Sequence, residues 1–268
     1  MEFASTTGVR SLFHYCIFHG DRFADVIERN RVYMSDTANF NDPWDCRPCF
    51  DFSQLGDPNY ADRVIDWFYH AARKQTPHYS EEFHRARAVE LRRNPDALRA
   101  AVIQASDMSA EIIKRYRVFC LTTHPTNILM WSHYAKNHSG ICIEFSCHNF
   151  VFSGAFKVEY AQVYPPYHVF DGADERVLLP LVTKSSTWSY EDEYRLIAQE
   201  RSAAFSESLL TDGNYLALPA GSIRSIILGC STPPGVEHEI ATILAGLGQN
   251  IALRRLVRVA NRYDLVFA

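Results

Sequence analysis

The densest run of side chains able to do chemistry is Trp188-Ser189-Tyr190-Glu191-Asp192-Glu193-Tyr194-Arg195, which leads into an apolar stretch. Read with the two-residue period of a strand, Glu191, Glu193 and Arg195 fall on one side. Two carboxylates at that spacing repel, so one keeps its proton or recruits a cation, and Arg195 is the local cation. Facing a cleft, such a pair can stabilise a developing positive charge or grip a sugar hydroxyl. On an edge strand the same pattern is a charge ladder and nothing more. A second run, Met130-Trp131-Ser132-His133-Tyr134 through His138, reads as a helix over Asn127 to Asn137 ending at Gly140, with Trp131, Tyr134 and His138 at i, i+3 and i+7 on one face. That face is either a buried aromatic stripe or a stacking wall for a planar ligand group.

Metal chemistry has little to build on. His133 and His138 are five residues apart and point away from one another on a helix, unlike the i, i+4 pair of a zinc helix. Cys46-Arg47-Pro48-Cys49 has CxxC spacing but no second ligand pair, and it follows a turn rather than opening a helix, so two ordinary thiols are expected and no metal. GxGxxG, GxxxxGK[ST], HExxH and GxSxG are all absent from the sequence.

The elements that must position these residues read as follows. Leu12 to Phe18 and Arg31 to Ser35 are strand-like, with an amphipathic turn around Phe23, Val26 and Ile27 between them. Asn39-Phe40-Asn41-Asp42-Pro43 is a turn, because Asx side chains bond their own backbone and Pro stops a strand. Residues 57–117 have helical spacing and carry 11 basic against 9 acidic side chains, either a solvated helical face or a weak basic docking surface around Arg85, Arg87, Arg92, Arg93 and Arg99. Strands dominate afterwards: Val118 to Thr122, Ile141 to Phe145, Phe156 to Tyr160, Tyr194 to Ala198, Ile223 to Leu228, Ala252 to Val259 and Tyr263 to Phe267. A helix from Val236 to Leu247 is closed by Gly248. Strands bracketing a helical segment without regular alternation predict an α+β fold with a mixed, mainly antiparallel sheet, a single domain over 1–268 with a helical insertion at 57–117.

With 268 residues, 47% hydrophobic and 22% charged, the chain is long enough to bury a core without disulfides or metal. A net charge of -4 argues against a global basic field for nucleic acid or an anionic membrane. The first apolar stretch is interrupted by His14, there is no secretory pattern, and no run reaches the length of a spanning helix. The seven cysteines are scattered, unlike a disulfide framework. A cytoplasmic protein with reduced thiols and no membrane partner is expected.

These motifs resemble the bacterial family known as domain of unknown function 2971 (DUF2971). The resemblance is carried by Leu12-Phe13-His14-Tyr15, Val32-Tyr33-Met34-Ser35, Phe40-Asn41-Asp42-Pro43 and Met130-Trp131-Ser132-His133-Tyr134-Ala135 through His138, Gly140 and Glu144. It continues with Trp188, Tyr190, Glu191, Glu193 and Arg195 and finishes at Ile227-Leu228-Gly229. A polar residue on the first strand, a strand ending in Ser, an aromatic-bearing helix and a late Glu-x-Glu strand also look like the layout of ADP-ribosyltransferases. That resemblance implies a split sheet, NAD as the consumed substrate, Glu193 as the catalytic carboxylate with Glu191 beside it, His14 at the ribose, and Ser35 or Tyr134 at the nicotinamide. Tyr15, Asn41, Trp131, His138 and Arg195 complete the implied ligand-contacting set. The reaction it implies is transfer of ADP-ribose to a macromolecular acceptor, protein or nucleic acid, or to water, in a defence or toxin setting. The alternative reading is a binding or sensor module, of a bacterial defence system, that grips a ligand in the same cleft without turnover. Neither reading uses Cys46 or Cys49 as a ligand, and metal analysis of protein purified without added zinc should find no stoichiometric ion; one tightly held equivalent would overturn the assignment of these cysteines as plain thiols.

Overall fold

The computed structural model describes residues 1–167, 170, 178–201, 209–247 and 250–268. The chain divides into two compact units, one made of Met1–Asp42, Arg115–Gln162 and Val182–Ala268, the other of Pro43–Lys114 and Val163–Leu181.

Among the described residues, the main sheet of the first unit has ten strands: β1 (Ser11–Cys16), β2 (Ser35–Asp36), β3 (Tyr116–Thr122), β4 (Ile141–Ser146), β5 (Phe156–Lys157), β6 (Glu193–Glu200), β7 (Leu209–Thr211), β8 (Ile223–Leu228), β9 (Ala252–Arg258) and β10 (Leu265–Phe267). They run β7-β6-β3-β1-β4-β8-β9-β10, with β2 also on β3 and β5 also on β6. Only β6 with β7 and β8 with β9 pair in parallel; the other neighbours are antiparallel. The fold is therefore α+β with a mixed, mainly antiparallel sheet, as the unalternating element order predicts. Both faces are apolar. One packs Leu12, Phe119, Leu121, Ile143 and Leu196 against α1 (Gly20–Ile27), through Phe23 and Ile27, and against the Pro234–Gly246 helix through Ile240 and Leu244. The other packs Phe13, Tyr15, Cys142 and Ile227 against Met130 and Trp131 of the Ile128–Tyr134 helix. Beyond the contact Phe13↔Thr122, β1 and β3 share no further register pair, and the sheet parts there.

The second unit contains α2 (Pro58–Gln75), α3 (Glu81–Arg93) and α4 (Pro95–Ile113), which occupy the segment whose spacing predicts helix. Their starts follow from capping: Asp57, Ser80 and Asn94 accept from the backbone N–H of Asn59, Phe83 and Ala97, and Pro58 and Pro95 preset the first turn. Their shared core is Tyr60, Val64, Ile65, Leu91, Leu98 and Val102. Many of the basic side chains are engaged in exposed pairs such as Arg85 with Glu81 and Arg92 with Asp62, in keeping with a solvated face.

Two expectations change. The helix predicted over Asn127 to Asn137, labelled α5 below (Ile128–Tyr134), stops early because Lys136, Asn137 and His138 take left-handed φ values of 48°, 52° and 67°. The expected strand at Phe156 to Tyr160 is two short pieces, Phe156–Lys157 and Glu159–Ala161. The last long helix, α6, spans Pro234–Gly246; Gly248, its expected stop, lies outside the described residues. All seven cysteines are free thiols. Among the described residues no helix is long and apolar enough to cross a membrane.

The reversal after α5 depends on glycine. A Cβ at Gly229 would lie 2.1 Å from the His138 carbonyl oxygen and 2.9 Å from the Trp131 ring, so a backbone must move before any side chain fits. Gly229→Ala should cost about 1–3 kcal/mol, as overpacking does, and lower the melting temperature by several degrees; an unchanged Tm would show that the turn is not held against β8.

Candidate functional site

The Glu-x-Glu segment does not enter the sheet as one strand. Ser186–Glu191 is a 3-10 turn, Asp192 is left-handed with φ 42°, and β6 begins at Glu193. Glu191, Glu193 and Arg195 still converge, because a fourth residue joins them. Lys184, on a short strand Thr183–Ser185 that pairs with Glu159–Ala161, places Nζ 2.5 Å from Glu191 Oε2 and 3.1 Å from Glu193 Oε2. Arg195 donates from Nε to Glu193 Oε1 at 2.8 Å and from an Nη to Oε2 at 2.9 Å, a bidentate pair. Arg195 is 0% exposed, Glu191 2% and Glu193 3%, so this is a buried two-plus-two ion cluster and not an edge ladder. β6 is in fact an inner strand between β3 and β7.

The two carboxylates are driven apart. Burial pushes Glu193 up, but the charges of Arg195 and Lys184, with hydrogen bonds from Arg195 and the Cys120 thiol, outweigh it and hold the carboxyl at about 2. Glu191 goes the other way: burial raises it, Lys184 only partly compensates, and the charge of Glu193 raises it further. Glu193 thus accepts from Arg195 twice and from Lys184, with the Cys120 thiol beside it, which leaves the carboxylate little capacity for a further partner. Glu191 keeps an outward link, because its Oε1 accepts from the Tyr134 hydroxyl at 2.7 Å. The Asn41 side chain lies close enough to the Tyr134 phenol to favour its ionised form, against the larger effect of burial. Backbone ties lock the segment: Thr122 Oγ1 donates to the Glu191 carbonyl at 2.5 Å, and Asn127 donates to the Tyr190 carbonyl at 2.7 Å.

Tyr134 also borders a cavity of about 300 Å³ that opens where β1 leaves β3, lined by His14, Tyr15, Arg22, Ser35, Phe119 and the tyrosines Tyr33 and Tyr215 among others. His14 bridges the parted strands: its ring stacks on Phe119 with centroids 4.2 Å apart, and Nδ1 lies 2.8 Å from the Cys120 carbonyl. A carbonyl can only accept, so Nδ1 carries the proton and Nε2 the lone pair. Burial lowers the His14 pKa, which keeps this tautomer neutral at pH 7. At the mouth, Tyr33 and Tyr215 meet edge to face at 5.6 Å. Arg31 lies over the Tyr215 ring at 4.1 Å and donates to the buried carboxylate of Asp25, which also accepts from Arg29. Arg22 lies over the Tyr33 ring at 5.5 Å and has no ion-pair partner among the described residues.

Of the residues singled out from sequence, Glu191, Glu193, Arg195, Asn41 and Tyr134 come together around the ion cluster, and His14, Tyr15, Ser35 and Tyr134 around the cavity. Trp131 serves packing: it is 0% exposed, its indole N–H donates to the Pro125 carbonyl at 2.9 Å, and its ring meets Tyr15 edge-on at 5.0 Å. No face is left for a stacked ligand. His138 leaves the Tyr134 face because the left-handed turn folds it back onto the Ser132 side of α5, where it lines a different cavity. Spacing gives no role to Lys184, at the head of the Lys184 to Ala198 segment that holds the Glu-x-Glu run, or to Cys120, Arg22, Tyr33 and Tyr215, which meet only when separate segments pack together. Among the described residues no three His, Cys, Asp or Glu side chains are arranged to hold a metal.

Residues 130–163 match the model of a family described as protein of unknown function (DUF2971), a stretch that covers most of α5, the left-handed turn, β4 and β5. No curated protein and no solved structure matches the chain.

The cluster makes opposite demands of its two acids. Removing the charge at Glu193 leaves Arg195 buried without its counter-ion, so Glu193→Gln should lose about 3–5 kcal/mol in urea unfolding. Glu193 adds stability that is full above about 4.5 and lost as pH falls through about 2. The contribution of Glu191, whose native pKa is raised, is full below about 4.5 and lost as pH rises through the native value. Glu191→Gln should therefore be the milder variant and should flatten the alkaline side of that profile; equal losses for both variants would contradict the division.

Proposed function

We propose that the cavity beside β1 is a small-molecule site for an anionic ligand carrying a planar ring, with NAD the first candidate. The observation that carries this reading is Arg22, a guanidinium without an ion-pair partner among the described residues, set over Tyr33 at the mouth of a cavity whose walls offer the neutral His14, Ser35 and Tyr134. An unpaired arginine suits a phosphate, which it can bond bidentately. The wall hydroxyls and the His14 lone pair suit a ribose, and the tyrosines suit a flat ring. At about 300 Å³ the cavity is at the small end for ligand sites, a size for one ring-and-sugar half of a dinucleotide with its phosphates outward at Arg22. Acting without turnover, the protein would be a sensor or binding module. The seven free thiols fit the reducing, cytoplasmic setting that belongs to this reading.

A second reading, cleavage of the nicotinamide bond of NAD with transfer of ADP-ribose to a macromolecule or to water, is favoured by one further contact. The Tyr134 phenol touches both the cavity and Glu191, so the carboxylate that could answer a developing oxocarbenium charge is Glu191 through Tyr134. Glu193, engaged by Arg195 and Lys184, is a positioning residue in that scheme.

A thermal-shift titration with NAD tests the binding claim: a ligand at a hundredfold excess over Kd should stabilise the native state by about 2.7 kcal/mol. Arg22→Ala should weaken binding at least tenfold without lowering the unliganded Tm, because the arginine is exposed. Absence of any shift with wild-type protein would remove NAD from the reading. Nicotinamide release by the parent, slowed at least tenfold in Tyr134→Phe, would select the enzyme; binding without release selects the sensor.

A further inference from the structure

A second cavity of the first unit, about 790 Å³, lies against the turn between β9 and β10. Its walls include Arg258 at the end of β9 and Arg262, Tyr263 and Asp264 of that turn, together with Ser132 of α5 and His138. Arg258 and Arg262 are exposed and make no ion pair among the described residues. The Asp264 carboxylate is turned to local work, since Oδ1 accepts the Leu265 N–H at 2.9 Å. Tyr263 is 100% exposed, an unusual setting for a large ring with nothing to stack on.

The wall at His138 is built with effort. Three consecutive residues without glycine's freedom, Lys136, Asn137 and His138, take left-handed backbone, which side chains disfavour. The turn is held by the His138 N–H donating to Trp131 at 3.1 Å and by Ser231 donating to the His138 carbonyl at 3.0 Å, with Gly229 packed against that carbonyl. It fixes the His138 ring, whose Nε2 lies 3.1 Å from Ser132 Oγ. Burial lowers the His138 pKa, so the ring is a neutral wall and the positive charge of the cavity is that of the arginines. Backbone strain gathered at one wall of a cavity is characteristic of functional sites.

We infer that this cavity binds a nucleotide unit, its phosphate between Arg258 and Arg262 and its base stacked on Tyr263. Two guanidiniums suit a phosphate, and an exposed tyrosine beside a basic groove is the usual platform for an unpaired base. The chain as a whole is negative, at -4, so attraction of an anion to this turn is local and not a property of the whole surface. The same chemistry is offered by a free mononucleotide and by one unit of a single strand. The inference does not rest on the reading of the β1 cavity.

Fluorescence anisotropy of a labelled oligodeoxythymidylate, with AMP as competitor, tests it on the full chain. The double variant Arg258→Ala/Arg262→Ala should weaken binding at least tenfold and reduce the slope of log K against log salt by about 0.7 for each phosphate that the arginines no longer neutralise. Tyr263→Ala should weaken it at least about fivefold. All three side chains are exposed, so an unchanged Tm verifies the fold of each variant. Arg93→Ala, which removes one exposed charge from a helix of the other unit, should bind as the parent does. If AMP binds and the oligonucleotide does not, with the same dependence on Arg258, Arg262 and Tyr263, the ligand is a free nucleotide. If neither binds, or if Arg93→Ala weakens binding as much as the double variant, the inference is overturned, whatever NAD does at Arg22.

Discussion

The geometry of the β6 side of the first unit depends on a buried exchange of charge. Lys184, Arg195, Glu191 and Glu193 are almost wholly removed from water, and none could remain ionised there alone. Together they balance two charges of each sign, and the bonds that achieve this reach four segments: the strand Thr183–Ser185, the 3-10 turn that follows, β6, and β3 through Cys120. Such a cluster contributes little net stability compared with an apolar core, yet it tolerates few arrangements. Its consequence is positional. Once Glu191 is anchored by Lys184, the Tyr134 hydroxyl has one carboxylate to bond, and the end of α5 is fixed beside the cavity.

The parting of β1 from β3 is the second constraint, and it follows from the same neighbourhood. A sheet that kept pairing past Phe13↔Thr122 would close the space in which His14, Ser35 and Tyr134 meet. The unpaired backbone has to be satisfied some other way. His14 does this in part, its ring N–H taking the Cys120 carbonyl on the strand whose thiol supports Glu193. One strand, β3, therefore borders the ion cluster through the Cys120 side chain and the cavity through Phe119, with the Cys120 carbonyl holding the His14 ring.

Much of this fold is legible in the sequence, and the exceptions have physical causes. The apolar, largely buried stretches of β3, β4 and β8 and the caps Asp57-Pro58, Ser80-Glu81 and Asn94-Pro95 mark their elements because local preference and burial agree there. The convergence of Glu191, Glu193 and Arg195 is also legible, although by a different route: a strand period places them together on paper, whereas a left-handed Asp192 places them together in the fold. Lys184 could not be foreseen, because its position depends on pairing with Glu159–Ala161, and a three-residue strand has too little pattern to read. The turn at Lys136-Asn137-His138 was equally hidden. None of the three breaks a helix by type, and the cause of the break lies 91 residues on from His138, at Gly229, where the missing Cβ lets the two backbones touch.

That turn explains why α5 serves two places at once. Had the helix continued to Asn137 as its periodicity predicts, Trp131, Tyr134 and His138 would have formed one stripe, and all three would have been core or all three ligand wall. Stopping at Tyr134 separates their duties. Trp131 is sealed against Tyr15 and Pro125, Tyr134 faces the β1 cavity with its hydroxyl on Glu191, and His138 swings to the C-terminal hairpin. A ligand that moved Tyr134 would pull on Glu191 and on the last turn of α5, and the hydrogen bond from His138 N–H to the Trp131 carbonyl ties that turn to the wall of the other cavity. The two cavities of this unit thus share one short helix, with Tyr134 on the wall of one and Ser132 on the wall of the other.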